Sequence, residues 1–294
     1  MDYIPAKHLL HRSKSTSWFG TDHTMNLYRG CCHGCLYCDS RSACYQNPDF
    51  DRMKAKADAL RLLRDDLARK AKPAFITMGS MSDPYNPFEK ELQLTRHALE
   101  LIDAYQCGVA VATKSDLIVR DMDLYRMIQD HSPVICKVTV TTTDDALAAK
   151  IEPHAPPPSR RLQALEELSK AGIFSGVLLM PVLPFVEDSA ENVLSVVDSA
   201  ARAGARFVYA TFGVTMRDGQ RDYFLNGLDW AFPGMGEQYR KRYGTRYYCS
   251  SPRAKELWQL FSARCKELGL LYEMRHIISA ATRGYGDRQL SFFD

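Results

Sequence analysis

An alternation along the chain constrains its fold most. Short apolar, strand-like runs at 25–29, 74–78, 109–113, 134–141, 176–180 and 207–211 alternate with longer polar–apolar stretches at 52–71, 87–105, 121–129, 159–171 and 188–203. Runs of β-branched and aromatic residues set off by Gly, Pro or polar residues read as strands. The stretches between carry helix punctuation. Ser159 is placed as an N-cap after Pro156-Pro157-Pro158 and Gly172 ends that helix; Ser189 with Asn192 opens the next and Gly204 closes it. Alternation repeated this often predicts a parallel sheet with helical crossovers. Six strand units are visible, against the eight of a complete barrel. The reading is therefore an α/β fold, a partial (βα)6 TIM-like barrel of parallel strands with a C-terminal extension.

After Thr211 the alternation stops. Residues 213–236 are rich in Gly, Asp and aromatics, and 238–248 interleave Arg240, Lys241, Arg242 and Arg246 with Tyr239, Tyr243, Tyr247 and Tyr248. A helix over 252–268, a strand-like 270–274 and a polar tail follow. The organisation expected is an N-terminal segment 1–24, the barrel 25–215 and a C-terminal cap 216–294.

A chain of 294 residues buries a core without disulfide staples. Its longest apolar stretch, 177–186, is broken by Pro181 and Pro184 and falls short of the ~20 residues of a membrane span. Residues 1–16 are polar and basic, with no signal-peptide core. No membrane association and a cytoplasmic location are expected. The 9 cysteines, an odd number crowded between Cys31 and Cys44, suit a metal site better than a disulfide framework. The net charge of 38 − 35 = +3 does not decide for or against nucleic acid; a local patch matters more.

The crowded segment reads Asn26-Leu27-Tyr28-Arg29-Gly30-Cys31-Cys32-His33-Gly34-Cys35-Leu36-Tyr37-Cys38. It offers two nested spacings, Cys31-x3-Cys35-x2-Cys38 and Cys32-x2-Cys35-x2-Cys38. Thiolates this close repel unless a cation neutralises them, so metal is the default. A structural zinc needs four ligands, which His33, Cys32 or Cys44 would have to complete. A ferredoxin-type cluster needs a fourth Cys, normally followed by Pro. The first spacing supplies three thiolates, which on a four-iron cluster leave one iron open.

Cys31-x3-Cys35-x2-Cys38, with Tyr37 before the last Cys and a strand before the first, resembles the radical S-adenosylmethionine (SAM) superfamily. The ordered words Ser82-Asp83-Pro84-Tyr85, Thr113-Lys114-Ser115, Glu152-Pro153 and Gly172-Ile173 narrow the resemblance to its spore photoproduct lyase-related branch, over roughly residues 20–215. The resemblance implies a [4Fe–4S] cluster held by Cys31, Cys35 and Cys38, with Cys32 a bystander, and SAM chelated to the fourth iron. One electron, from a donor such as flavodoxin or ferredoxin, then cleaves the S–C5′ bond. The 5′-deoxyadenosyl radical so released takes a hydrogen from substrate, while the protein positions substrate and excludes water.

Ligands of a parallel barrel gather at the carboxyl ends of its strands. By the resemblance, Thr77-Met78-Gly79-Ser80 occupies the place of the segment that receives the SAM ammonium, with Ser80 or Asp83 as the polar contact. Lys114, Ser115 and Thr141 suit the cofactor's carboxylate and ribose, and Met180 its adenine. Tyr209 and Thr211 end the sixth strand at the same mouth.

The branch raises DNA, and repair by a lyase-type reaction, as the first substrate hypothesis. Two departures count against transfer of the identical activity. Asp39 stands where the lyases carry a Tyr after the third cluster Cys, and Ser80-Met81-Ser82 stand where a hydrogen-donating Cys is expected. Cys249, beside Tyr247 and Tyr248, is the substitute radical partner to test. The basic–aromatic stretch 238–248 suits phosphate contacts and base stacking, or equally an amphipathic helix with a tyrosine seam. The ending Gln289-Leu290-Ser291-Phe292-Phe293 resembles the peptide that docks bacterial repair proteins into the sliding clamp. Two further readings stand beside these: a radical SAM enzyme acting on a peptide or small molecule, and a non-catalytic metal-stabilised nucleic-acid-binding protein.

Overall fold

A computed structural model of the chain describes residues 1–285; the clamp-like segment 289–293 lies outside the described residues. Six parallel strands form the centre: β1 His23–Met25, β2 Phe75–Met78, β3 Gly108–Thr113, β4 Val134–Thr139, β5 Ser175–Leu179 and β6 Phe207–Ala210. They lie side by side in chain order, and Leu10–Arg12 adds a seventh, antiparallel strand outside β1. Helices α1 Ala59–Ala68, α2 Leu94–Ala104, α3 Met122–Gln129, α4 Pro158–Lys170 and α5 Ala190–Arg202 make the crossovers. Among the described residues no helix is long and apolar enough to cross a membrane.

The alternation of side chains along each strand sorts the core into two layers. Val109, Val111, Val134, Cys136, Val138, Val177, Leu179 and Val208 face outward and pack beneath the helices with Leu99, Ile102 and Leu165. Phe75, Ala110, Ile135, Leu178 and Phe207 face inward and form a separate cluster with Phe19, Ile277 and Ala281. Because β6 and β1 do not pair, the open seam is filled by side chains. Phe19 lies 5.6 Å from Phe207, and Trp18 meets Tyr209 edge-on at 5.5 Å.

Local chemistry moved several expected boundaries. The stretch 52–71 opens as a strand, Lys54–Lys56, paired with Asp2–Ile4 and Tyr28–Arg29, before α1 begins. Ser159 does not cap α4: Pro157 holds the N-cap position, and Ser159 instead donates to Asp145 through its amide and hydroxyl, at 3.0 and 2.6 Å. Ser189 does cap α5, accepting from the Asn192 amide at 3.0 Å. The polar tail begins with an unexpected helix, Met274–Thr282, whose Ile277 and Ala281 plug the amino-terminal end of the barrel.

Beyond β6, the hairpin Gly213–Thr215/Tyr248–Ser250 and helices Gln220–Ala231 and Met235–Tyr243 form a cap. Its core of Val214, Met216, Phe224, Leu228, Tyr239 and Cys249 also includes Leu36 and Tyr37, so the cap rests directly on the cysteine loop. Helix α6 Ala254–Glu267 returns to the barrel and pairs Arg264 with Asp198 of α5 at 2.6 Å.

Candidate functional site

The cysteine loop follows the short strand Tyr28–Arg29, outside the barrel, and is pinned by backbone contacts. The Cys31 amide donates to Phe50 at 3.0 Å, the Leu36 amide to Ile151 at 2.9 Å and the His154 amide to His33 at 3.1 Å. Cys31, Cys35 and Cys38 are free thiols that line one cavity of about 470 Å³ at the carboxyl ends of the strands. Cys32 is not in that lining and packs against the outer core. Burial, with Asp83 nearby, pushes the Cys31 thiol up to about 12, and burial also raises Cys35 and Cys38.

Across the cavity stand the strand ends. Gly79, at φ +90°, closes β2, and a Cβ there would lie 2.0 Å from the Ala112 carbonyl oxygen of β3; only glycine allows the strands this close. Ser80 is exposed to the cavity, its hydroxyl 3.3 Å from that of Thr24. Asp83 also lines it, but its carboxylate is committed to the protein. It accepts from the Thr113 hydroxyl at 2.6 Å, the Tyr85 amide at 2.8 Å and the Lys114 amide at 2.8 Å, and lies 3.5 Å from His33 Nδ1. Asp83 is therefore a clamp between the ends of β2 and β3 and the cysteine loop.

Lys114 and Met180 both line the cavity, whereas Ser115 and Thr141 do not. Ser115 caps the short helical turn Asp116–Asp121, its hydroxyl accepting from Leu117. Thr141 lies past the end of β4, where the chain turns away and its carbonyl accepts from Asn192 at 2.9 Å. The inward hydroxyl facing the cavity from that strand is Thr139. Cys249 is fully buried in the hairpin core, its thiol directed to the Arg246 carbonyl, while the neighbouring Tyr248 lines the cavity. Asp39 ties the hairpin to the loop, 2.9 Å from Arg217 Nε and accepting from Thr215 at 3.2 Å.

Sequence reasoning missed the buried charges beneath the loop. Glu152 accepts from the Tyr37 hydroxyl, pairs with Arg161 at 2.6 Å and lies 4.0 Å from Lys114 Nζ. Burial alone would lift its pKa, but Arg161 and Lys114 outweigh burial and hold its carboxyl below the ordinary range. Arg161 also donates to the carbonyls of Pro156 and Thr139, at 2.6 and 3.1 Å, so one guanidinium joins α4, β4 and the cysteine loop. Tyr37 and Glu152 stood in the sequence motifs; a partner as far along the chain as Arg161 has no local signature.

The donor set fits a cluster better than a single ion. Among the described residues no three His, Cys, Asp or Glu side chains converge closely enough to hold one metal ion. The three thiols instead share the lining of one cavity with room beside them, which suits ligands to separate corners of a polynuclear cluster.

The sequence model of the radical SAM superfamily matches residues 25–197. An uncharacterized protein of Mycobacterium tuberculosis is 31% identical over 228 residues, 75% of this chain and 67% of that one. Another, from Methanocaldococcus jannaschii, is 32% identical over 169 residues, 58% of this chain and 63% of its own length. Among solved structures, spore photoproduct lyase complexed with dinucleoside spore photoproduct superposes with a TM-score of 0.66 at 15% identity, covering 92% of this chain and 81% of that chain. The methyltransferase TsrM from Kitasatospora setae, with cobalamin and a [4Fe-4S] cluster bound, gives 0.54 at 13% identity, covering 81% and 52%. At these identities the two structures establish the shared α/β fold.

Proposed function

The chain belongs to the radical SAM superfamily, and from that premise we propose that Cys31, Cys35 and Cys38 hold its [4Fe–4S] cluster, with SAM in the cavity beside them. The observation that carries this reading is the convergence of those three thiols and the Gly79–Ser80 strand end on one cavity. When bound, the cluster and SAM supply reductive cleavage to a 5′-deoxyadenosyl radical able to take hydrogen from an unactivated carbon.

The protein's own part is positioning. Backbone carbonyls at Gly79 and the Ser80 hydroxyl would receive the cofactor's ammonium, and Lys114, at the neighbouring strand end, would meet its carboxylate. Met180, in the same lining, would flank the adenine. Asp83 and the Glu152–Arg161 pair would hold these groups in place, and the cap resting on Leu36 and Tyr37 would keep water from the loop.

For substrate we propose nucleic acid, in a repair-type reaction. Tyr248 lines the cavity, next to exposed Tyr247 and to Arg217, which lies 5.3 Å from the Tyr247 ring. Exposed Arg240, Lys241 and Arg242 follow on the same cap. Aromatics beside cations suit stacked bases and phosphates.

The test is anaerobic reconstitution with iron and sulfide. The expected protein is brown, bleaches on reduction and releases 5′-deoxyadenosine from SAM with dithionite. Cys35→Ala abolishes the chromophore, whereas Cys32→Ala keeps its iron. A colourless, zinc-loaded protein would instead support the non-catalytic binding module. Deuterium passing from labelled nucleic acid into 5′-deoxyadenosine tests the substrate class, and no transfer moves the substrate to a peptide or small molecule.

A further inference from the structure

The turn that follows the cysteine loop holds a cation outside the cofactor cavity. Asp39–Arg41 form a single helical turn directly after Cys38, and the Arg41 amide donates back to the Cys38 carbonyl at 3.3 Å. Three residues at a rise of about 2 Å each place the Arg41 backbone within roughly 6 Å of Cys38. The guanidinium is not in the cavity lining and lies against two aromatic rings. Its carbon is 3.7 Å from the centroid of Tyr223 and 4.9 Å from that of Phe50. Both rings belong to supports of the loop. The Phe50 carbonyl accepts from the Cys31 amide, and Tyr223 stands one turn before Gly227, against which Leu36 packs.

The charge pairs around the loop differ in how evenly they are buried. Glu152 and Arg161 are each 1% exposed, and Asp39 and Arg217 are 34% and 29% exposed, so each pair largely cancels at a distance. Lys114 lines the cavity and is already assigned to the cofactor. Arg41 is 9% exposed, whereas its ion-pair partner, Asp51, is 62% exposed. Water screens the carboxylate far more than the guanidinium, so this pair leaves a net positive field on the loop. The Arg41 Nε is also buried without a hydrogen-bond partner among the described residues. A side chain needed only to staple the turn would gain nothing from such a charge, because desolvating it is costly and an apolar group would fill the same slot.

We infer that Arg41 raises the reduction potential of the cluster that Cys31, Cys35 and Cys38 hold, through its field at Cys38. The inference rests on the radical SAM reading above. Reduction adds one electron, from an external low-potential reductant, to a site that already carries three thiolates. No bond forms or breaks and no proton moves, so the site becomes more negative by one charge. A fixed cation beside it favours that reduced form. Arg41 touches neither cofactor nor substrate and is a positioning residue, acting through the loop.

The test is a redox titration of the reconstituted protein without SAM, read by visible absorption and electron paramagnetic resonance. Arg41→Met removes the charge and keeps the length. At the parental midpoint its ratio of reduced to oxidised cluster is expected to fall about tenfold, a downward shift of about 59 mV for one electron. Asp51→Asn breaks the same pair from its exposed side and shifts the midpoint upward, by less because water already screens Asp51. Arg41→Lys keeps the charge and stays near the parental midpoint. Opposite signs separate charge from scaffolding, since the first two variants both break one ion pair. An unchanged midpoint in Arg41→Met overturns the inference, as does a shift in Arg41→Lys as large as that in Arg41→Met. Where Arg41→Met does not retain its iron, Asp51→Asn decides: an upward shift supports the inference, and no shift or a downward one overturns it. Failure of the underlying reading shows elsewhere, as a parent that assembles no reducible [4Fe–4S] chromophore.

Discussion

At Gly79 one methyl group has no room. Its φ of +90° and the 2.0 Å that would separate a Cβ from the Ala112 carbonyl oxygen together add left-handed strain to a clash with backbone, which cannot rotate aside. Gly79→Ala is expected to lower stability by about 2–4 kcal/mol in urea unfolding, and to weaken SAM binding because β2 and β3 are forced apart. Retained stability with retained binding would show that the strand ends are not held as described. Glu152 is the complementary case, a buried charge whose value lies in its partner. Glu152→Gln leaves the Arg161 guanidinium, 1% exposed, without its counter-charge. Breaking a buried pair on one side costs about 3–5 kcal/mol. The iron of the reconstituted variant is expected to be labile, because the Tyr37 hydroxyl keeps a weakened partner. Gly79 and the cysteines were legible in the sequence because each is a local necessity. Glu152–Arg161 was not, because a pair between a loop and a helix exists only once β4 and α4 are packed.

Among the elements, five of the six strands were legible for a physical reason: each is covered on both faces, so each is a short, nearly continuous apolar run between turn residues. The first, expected at 25–29, is instead His23–Met25, a polar segment, while Tyr28–Arg29 pairs in a separate sheet. The helix Met274–Thr282 was not legible, since it buries few residues, Ile277 and Ala281 among them, and owes its place to Phe19 and Phe207 inside the barrel. The basic–aromatic stretch 238–248 divides between its two readings. Tyr239 and Tyr243 form a buried seam, Arg240, Lys241 and Arg242 stand outside it, and Tyr247 and Tyr248 leave the helix for the hairpin. The cations are therefore removable without loss of packing. Replacing all three by Ala is expected to leave the melting temperature within a few degrees and to weaken nucleic-acid binding. The log–log salt dependence should flatten by about 0.7–0.9 for each phosphate contact removed. Unchanged affinity and slope in a fluorescence-anisotropy titration would take this helix out of any nucleic-acid interface.

For the molecule as a whole, the consequential group is one that the proposed chemistry does not use. Lys137 points into the barrel from the middle of β4 and is fully buried, its Nζ 4.5 Å from the Phe19 ring centroid and 3.5 Å from the Thr77 hydroxyl. No carboxylate pairs with it among the described residues, and burial lowers its pKa to about 7 from 10.5. Phe19 is the side chain that fills the open seam, so the charge state of Lys137 bears on the closure of the sheet itself. The sign follows from proton counting. Between about pH 7 and 10.5 the unfolded chain holds the lysine proton and the folded chain does not, so this residue makes stability rise with pH across that window. Below pH 7 both states hold the proton, and the folded state carries the full cost of a buried ammonium, on the order of 3–5 kcal/mol. Methionine has a similar length and no charge to desolvate. Lys137→Met is therefore expected to stabilise the protein at pH 6 by a few kcal/mol, and its advantage over the parent should shrink steadily between pH 7 and 10. Paired urea titrations across that range read the difference directly, so that other titrating groups cancel. A variant less stable than the parent at pH 6, or an advantage independent of pH, would mean that the ammonium is held by an interaction stronger than its hydroxyl and aromatic contacts.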